Sequence, residues 1–127
     1  MCLSLRYNYT HWYILHTGIF DHTDGRLTME KLPKNPFFTL ERLEDGVWAA
    51  IVVPGNGAVA NASIIDLGDI TVVVDTFSLP EAAQLLREAA ETLTGKPVKY
   101  VVNTHYHGDH HYGNQIFACL HLAGGIR

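Results

Sequence analysis

The chain has 127 residues, 47% of them hydrophobic and 17% charged, which describes one globular domain and argues against disorder or a second domain. Nine basic against thirteen acidic residues give a net charge of −4, unlike a general nucleic-acid binder, which needs clustered Lys and Arg against phosphates. The longest apolar run, Val47 to Val53, stops at Pro54 and is far short of the ~18 residues of a membrane span.

Residues 1–28 follow neither a helical nor a strand period. Asn8, Thr10, His11 and His16 interrupt the apolar stretch that a secretory leader would need. His11, His16 and His22 are spaced by five and six, so no helical face gathers them and none is expected to be a ligand. Cys2 and Cys119 are too few and too distant for a disulfide framework, which leaves a reducing, cytoplasmic setting as the expectation. Regular patterning begins at Met29. The expected organisation is an irregular extension over 1–28, with Met29 as the natural start, and one domain over 29–127.

Phe38–Leu43 gives a strand closed by the turn Asp45-Gly46, and Val47–Val53 gives a second, ended by Pro54-Gly55-Asn56-Gly57. Ala58–Asp66 forms a third and Ile70–Val74 a fourth, so four short strands make an antiparallel meander. The fourth is apolar at consecutive positions, as a strand buried on both faces must be. Trp48 is most simply core. The period then switches. Ser78-Leu79-Pro80-Glu81 predicts a helix start with Ser78 as cap and Glu81 completing a capping box. Leu79, Ala82, Leu86, Ala89, Ala90 and Leu93 share one helical face, Gly95 ends the helix and Pro97 keeps it from resuming. Val98–Val102 is a fifth strand. The expected fold class is layered α/β, with a polar loop beyond a strand's carboxyl end, where α/β sheets commonly place ligand sites.

That loop reads Asn103-Thr104-His105-Tyr106-His107-Gly108-Asp109-His110-His111-Tyr112-Gly113-Asn114. Three histidines and a carboxylate fall between positions 105 and 110, a donor set suited to zinc, iron or manganese. Gly108 lets the loop fold tightly. A loop this short cannot wrap a whole tetrahedron around one ion, so dividing the four donors between two adjacent ions is the simpler geometry. His111, next to His110, would point elsewhere and is read as a neighbour rather than a ligand. Tyr106 packs away from the metal.

At these residues the sequence resembles the metallo-β-lactamase fold superfamily, whose signature is His-x-His-x-Asp-His; Asn103-Thr104 before it and Gly113-Asn114 after it also match. The resemblance covers about positions 36 to 117. It implies half of an αββα sandwich with a metal site at the sheet edge: His105 and His107 holding a first zinc, Asp109 and His110 a second. Asp75, in Val-Asp-Thr after the fourth strand, matches an acidic residue that orients ligands by hydrogen bonds; a turn residue at a helix entry is the equal alternative. The implied chemistry is a metal-dependent hydrolase acting on a lactam, lactone, thioester or phosphoester, the cation lowering the pKa of its bound water to about 7 and Asp109 orienting the attacking water. His107 favours a hydrolase over the di-iron oxygen reductases, which resemble this pattern but place Glu there, although persulfide dioxygenases share the motif with one iron.

The superfamily draws further ligands from beyond this motif, and the one histidine after Phe117 is His121, at 11 positions past His110. The reading is therefore a truncated half of such a protein, with a small-molecule substrate, no membrane association, nucleic acid disfavoured and self-association through an uncovered sheet face. A non-catalytic metal-binding or interaction module and a nuclease of the same superfamily are the alternative functions.

Overall fold

The meander read from Phe38 onward forms as one side of a mixed sheet. In the computed structural model, which describes Leu32, residues 34–117 and the two-residue strand His121–Leu122, strands β1 (Phe38–Glu44), β2 (Val47–Val52), β3 (Ala62–Asp66) and β4 (Thr71–Val74) pair antiparallel in chain order. The expected extension over 1–28, with His11, His16 and His22, lies outside the described residues.

Two expectations need correction here. The third strand starts at Ala62, not Ala58. Ala60 adopts φ 67°, which no strand accommodates, and Asn61 Oδ1 accepts the Val52 N–H at 3.0 Å, so a side chain replaces the strand partner there. Ser78 does not cap the helix. Its hydroxyl donates to the Gly57 carbonyl and accepts the Val59 N–H, both at 3.0 Å, which pins the β2–β3 connection instead. The helix N-cap is Leu79, without a side-chain hydrogen bond, so the capping box does not form and Pro80 alone pre-sets the first turn.

Helix α1 (Pro80–Thr94) buries Ala82, Ala83, Leu86, Ala89 and Ala90, the face that the sequence period marked with the addition of Ala83. It ends where Gly95 takes φ 68° and donates its N–H to the Glu91 carbonyl at 2.9 Å. The helix packs on β4 and on β5 (Val98–Val102), which runs parallel to β4 with Val74 opposite Val102. His121–Leu122 adds a short parallel strand, β6, beside Tyr100 and Val101, which periodicity did not announce. Ile64, Val73, Leu86, Val98, Val101 and Phe117 are fully buried between sheet and helix, each large side chain stabilising by about 1.5–3 kcal/mol. The layered α/β class is as the sequence read it.

Parallel β4 and β5 send their carboxyl ends to the same sheet edge. The chain leaves β4 through Asp75-Thr76-Phe77 and leaves β5 through Asn103-Thr104, and the Asp75 N–H donates to the Val102 carbonyl at 2.8 Å. Beyond β5 the polar loop coils into a one-turn helix α2 (Gly108–His111) and a 3-10 helix (Tyr112–Phe117), where residue pattern alone predicts only a tight loop. Arg87 of α1 holds this segment by donating Nη1–H to the Ile116 carbonyl at 3.0 Å.

Candidate metal centre

Asp75 and Phe77 both adopt the left-handed region, at φ 60° and 63°, which costs on the order of 1–3 kcal/mol for each such residue. Their surroundings hold them there. Phe77 is fully buried and stacks on Phe38 with ring centroids 5.3 Å apart. Between them, buried Thr76 donates its N–H to the His110 carbonyl at 2.9 Å and its hydroxyl to Asn114 Oδ1 at 2.8 Å. Gly113 completes the junction. A Cβ there would stand 2.0 Å from the Thr76 carbonyl oxygen and 2.5 Å from Ala83 Cβ, so only glycine lets the two segments meet.

The His110 backbone is fixed from a second direction by the Asn103 side chain, whose Nδ2–H donates to the same carbonyl at 2.8 Å. Asn114 Nδ2–H in turn donates to Asn103 Oδ1 at 2.7 Å. Thr76, 34 positions from His110, and Asn103, seven positions from it, thus converge on one peptide group. The Asn103-Thr104 and Gly113-Asn114 dipeptides that flank the motif have their physical role in this frame.

Asp75 Oδ1 accepts the Thr104 N–H at 2.8 Å, and Oδ2 accepts the Thr104 hydroxyl at 2.8 Å and faces His110 Nδ1 at 2.7 Å. These contacts determine which ring nitrogens are free. A carboxylate only accepts, so His110 Nδ1 carries a hydrogen, and in the neutral ring Nε2 keeps the lone pair. The Thr104 hydroxyl spends its one hydrogen on Asp75, so it accepts from His105 Nδ1–H at 2.9 Å, and His105 Nε2 is also left bare. An outer carboxylate that selects the tautomer of a metal-binding imidazole is a recurrent device of metal sites.

The bare His105 Nε2 faces His107 Nδ1 at 3.1 Å, and His110 Nε2 stands 3.5 Å from Asp109 Oδ2. Two donors bound to one tetrahedral zinc at 2.0–2.1 Å are separated by about 3.3–3.4 Å, so each pair is spaced as one edge of such a site. The His105 and His110 rings are 3.9 Å apart, which brings the two edges side by side. The exposed His105 and His107 and the half-buried Asp109 and His110 all open to solvent. Among the described residues, no group of three or more His, Cys, Asp or Glu surrounds a single point as a metal-holding set. The donors fit a divalent cation in chemistry and pairwise spacing, as edges and not as a closed shell. His111 is turned away, with Nε2 2.9 Å from the Tyr106 carbonyl.

Residues 55–118, which contain Asp75 and the whole loop, match the family profile described as the metallo-beta-lactamase superfamily. The chain belongs to that superfamily. Solved structures agree. The metallo-beta-lactamase from Hirschia baltica is 29% identical with a TM-score of 0.56, the match covering 67% of this chain and 41% of that one. FIM-1 from Pseudomonas aeruginosa, described in its mono-zinc form, is 24% identical with a TM-score of 0.60 over 72% of this chain and 43% of that one. A metallo-beta-lactamase from Erythrobacter litoralis, with beta mercaptoethanol in its active site, is 24% identical with a TM-score of 0.59 over 71% and 42%. Among curated proteins none matches. This metallo-beta-lactamase-like chain thus spans about two fifths of the length of the solved structures it resembles, and its sheet and helix are part of their α/β fold. Family and fold are those of the metallo-beta-lactamase hydrolases. Among the described residues, no helix is long and apolar enough to cross a membrane.

Proposed function

We propose that this chain supplies the zinc-holding portion of a metal-dependent hydrolase, with His105 and His107 as one pair of donors and Asp109 and His110 as the other. The observation that carries this reading is that Asp75 and the Thr104 hydroxyl occupy Nδ1 of His110 and of His105, so that in the neutral rings both Nε2 atoms keep their lone pairs for a metal.

A bound zinc supplies Lewis acidity at neutral pH. The chain's own residues do the rest. Asp75 keeps the two imidazoles oriented, and the Thr76, Asn103 and Asn114 network fixes the peptide of His110. Asp109, one third exposed at its side chain, orients an attacking water through a carboxylate oxygen and takes its proton. The substrate is a small molecule with a lactam, lactone, thioester or phosphoester bond. The net charge of −4 favours this over a nucleic acid.

Zinc retained after dialysis against metal-free buffer tests the assignment. His105→Ala, His107→Ala, Asp109→Ala and His110→Ala should each lower it, and His16→Ala should not. A His107→Ala chain that retains as much zinc as the unaltered one would refute the ligand set.

A further inference from the structure

We propose that His111 is a positioning residue for this centre: through Nε2–H it grips the Tyr106 carbonyl and so fixes the spacing of His105 and His107. The inference rests on the metal-holding reading above and adds a residue to it.

Tyr106 is the single residue between the two imidazoles; it is 84% exposed, and its ring meets the His107 ring edge-on with centroids 4.7 Å apart. Its peptide has a separate anchor. His111 Nε2 lies 2.9 Å from the Tyr106 carbonyl oxygen, and because a carbonyl only accepts, Nε2 carries the hydrogen. The nitrogen is therefore engaged inward, the reverse of His105 and His110, whose Nε2 atoms are bare. The His111 ring is steadied from its other side by Tyr112, edge-on with centroids 5.1 Å apart and planes at 88°. Tyr112 in turn lies across Gly108, where a Cβ would come within 2.3 Å of the phenol ring. The bond from residue 111 back to residue 106 closes the loop on itself around Gly108. The His110 N–H bonds the His107 carbonyl at 3.0 Å and holds the turn from its far side; the His111 bond adds the hold on the Tyr106 peptide, and losing it would loosen the 3.1 Å separation of His105 Nε2 and His107 Nδ1.

The 127-residue chain, titrated with Co(II) and followed by its visible ligand-field bands, tests this with His111→Ala, His111→Gln and His105→Ala. His111→Ala should bind about fivefold more weakly, the loss of one neutral hydrogen bond, with a changed band shape. His111→Gln, whose amide N–H can donate to the same carbonyl, should recover most of both. Unchanged binding and spectrum in His111→Ala would overturn the proposal while leaving the ligand set intact. A glutamine variant no better than alanine would make the imidazole itself the ligand and overturn it as well. If His105→Ala binds like the unaltered chain, the ligand set has failed instead. Ring nitrogen–proton correlation spectra of the metal-free chain then decide independently: the neutral His111 ring should be the Nε2–H tautomer, and an Nδ1–H ring would refute the grip.

Discussion

His110 Nδ1 lies 2.7 Å from Asp75 Oδ2, although 35 positions separate the two residues. The Asp75 side chain is 6% exposed, and its two oxygens also receive the N–H and hydroxyl of Thr104. One buried carboxylate therefore joins the loop after β4 to the loop after β5, orienting the His110 ring directly and the His105 ring through the Thr104 hydroxyl.

Replacing that carboxylate should cost stability and metal together. Asp75→Ala leaves three donors without their acceptor and puts a Cβ-bearing residue of lower left-handed tolerance at φ 60°, so a loss of about 3 kcal/mol is expected in urea denaturation. Asp75→Asn tolerates the backbone and keeps one oxygen, and should lose about 1 kcal/mol. Both should lower zinc affinity by about 10- to 100-fold. Asp75→Ala with native stability and native zinc affinity would contradict the role given to this residue.

Two glycines in the same loop should respond unequally to alanine. At Gly113 the new Cβ meets backbone, the Thr76 carbonyl at 2.0 Å, and backbone here is held by its own hydrogen bonds. At Gly108 it meets the Tyr112 ring, whose residue is 61% exposed and can swing away. Gly113→Ala should lower the thermal midpoint by many degrees or prevent folding, and Gly108→Ala by only a few. The reverse ranking would mean that the junction around Thr76 is misdescribed.

Thr76→Val tests the network without altering shape. The buried hydroxyl donates to Asn114 Oδ1, which would then keep only the longer bond from Asn103 Nδ2 at 3.3 Å. A loss of about 1–2 kcal/mol is expected, with faster amide exchange in the 3-10 helix. Unchanged exchange there would show that the hydroxyl does not hold the segment.

Leu86→Ala probes the helix–sheet layer away from the centre. Leu86 is fully buried on α1, and truncation should cost about 2–5 kcal/mol by denaturation. Zinc retention at a temperature where the variant stays folded should match the unaltered chain.

Periodicity was sufficient for the frame. The apolar run of β2, the consecutively apolar β4, the face of α1 and the bounds of β5 follow from side-chain patterns that burial imposes directly. What it missed depends on side chains standing in for backbone. Ser78 looked like a cap because a hydroxyl at that spacing serves equally well elsewhere, and here it bonds Gly57 and Val59. Asn61 shortens β3 by taking the Val52 N–H. That His105, His107, Asp109 and His110 would share one loop beyond β5 was legible from residue type and spacing. Thr76 was not, because nothing in a Val-Asp-Thr run states that its hydroxyl will reach Asn114, 38 positions on.

The crossover from β4 through α1 to β5 has a kinetic consequence. Asp75 and Thr104 are 29 positions apart and meet only when the two strands lie side by side with the helix packed over them. Closing a loop of that length costs entropy that no local contact returns. The donors at positions 105 to 110 therefore acquire their orientation late in folding, after the strands have paired. Slowed exchange of the Thr104 and Asp75 amides should accordingly appear together with protection of β4 and β5, and not before it.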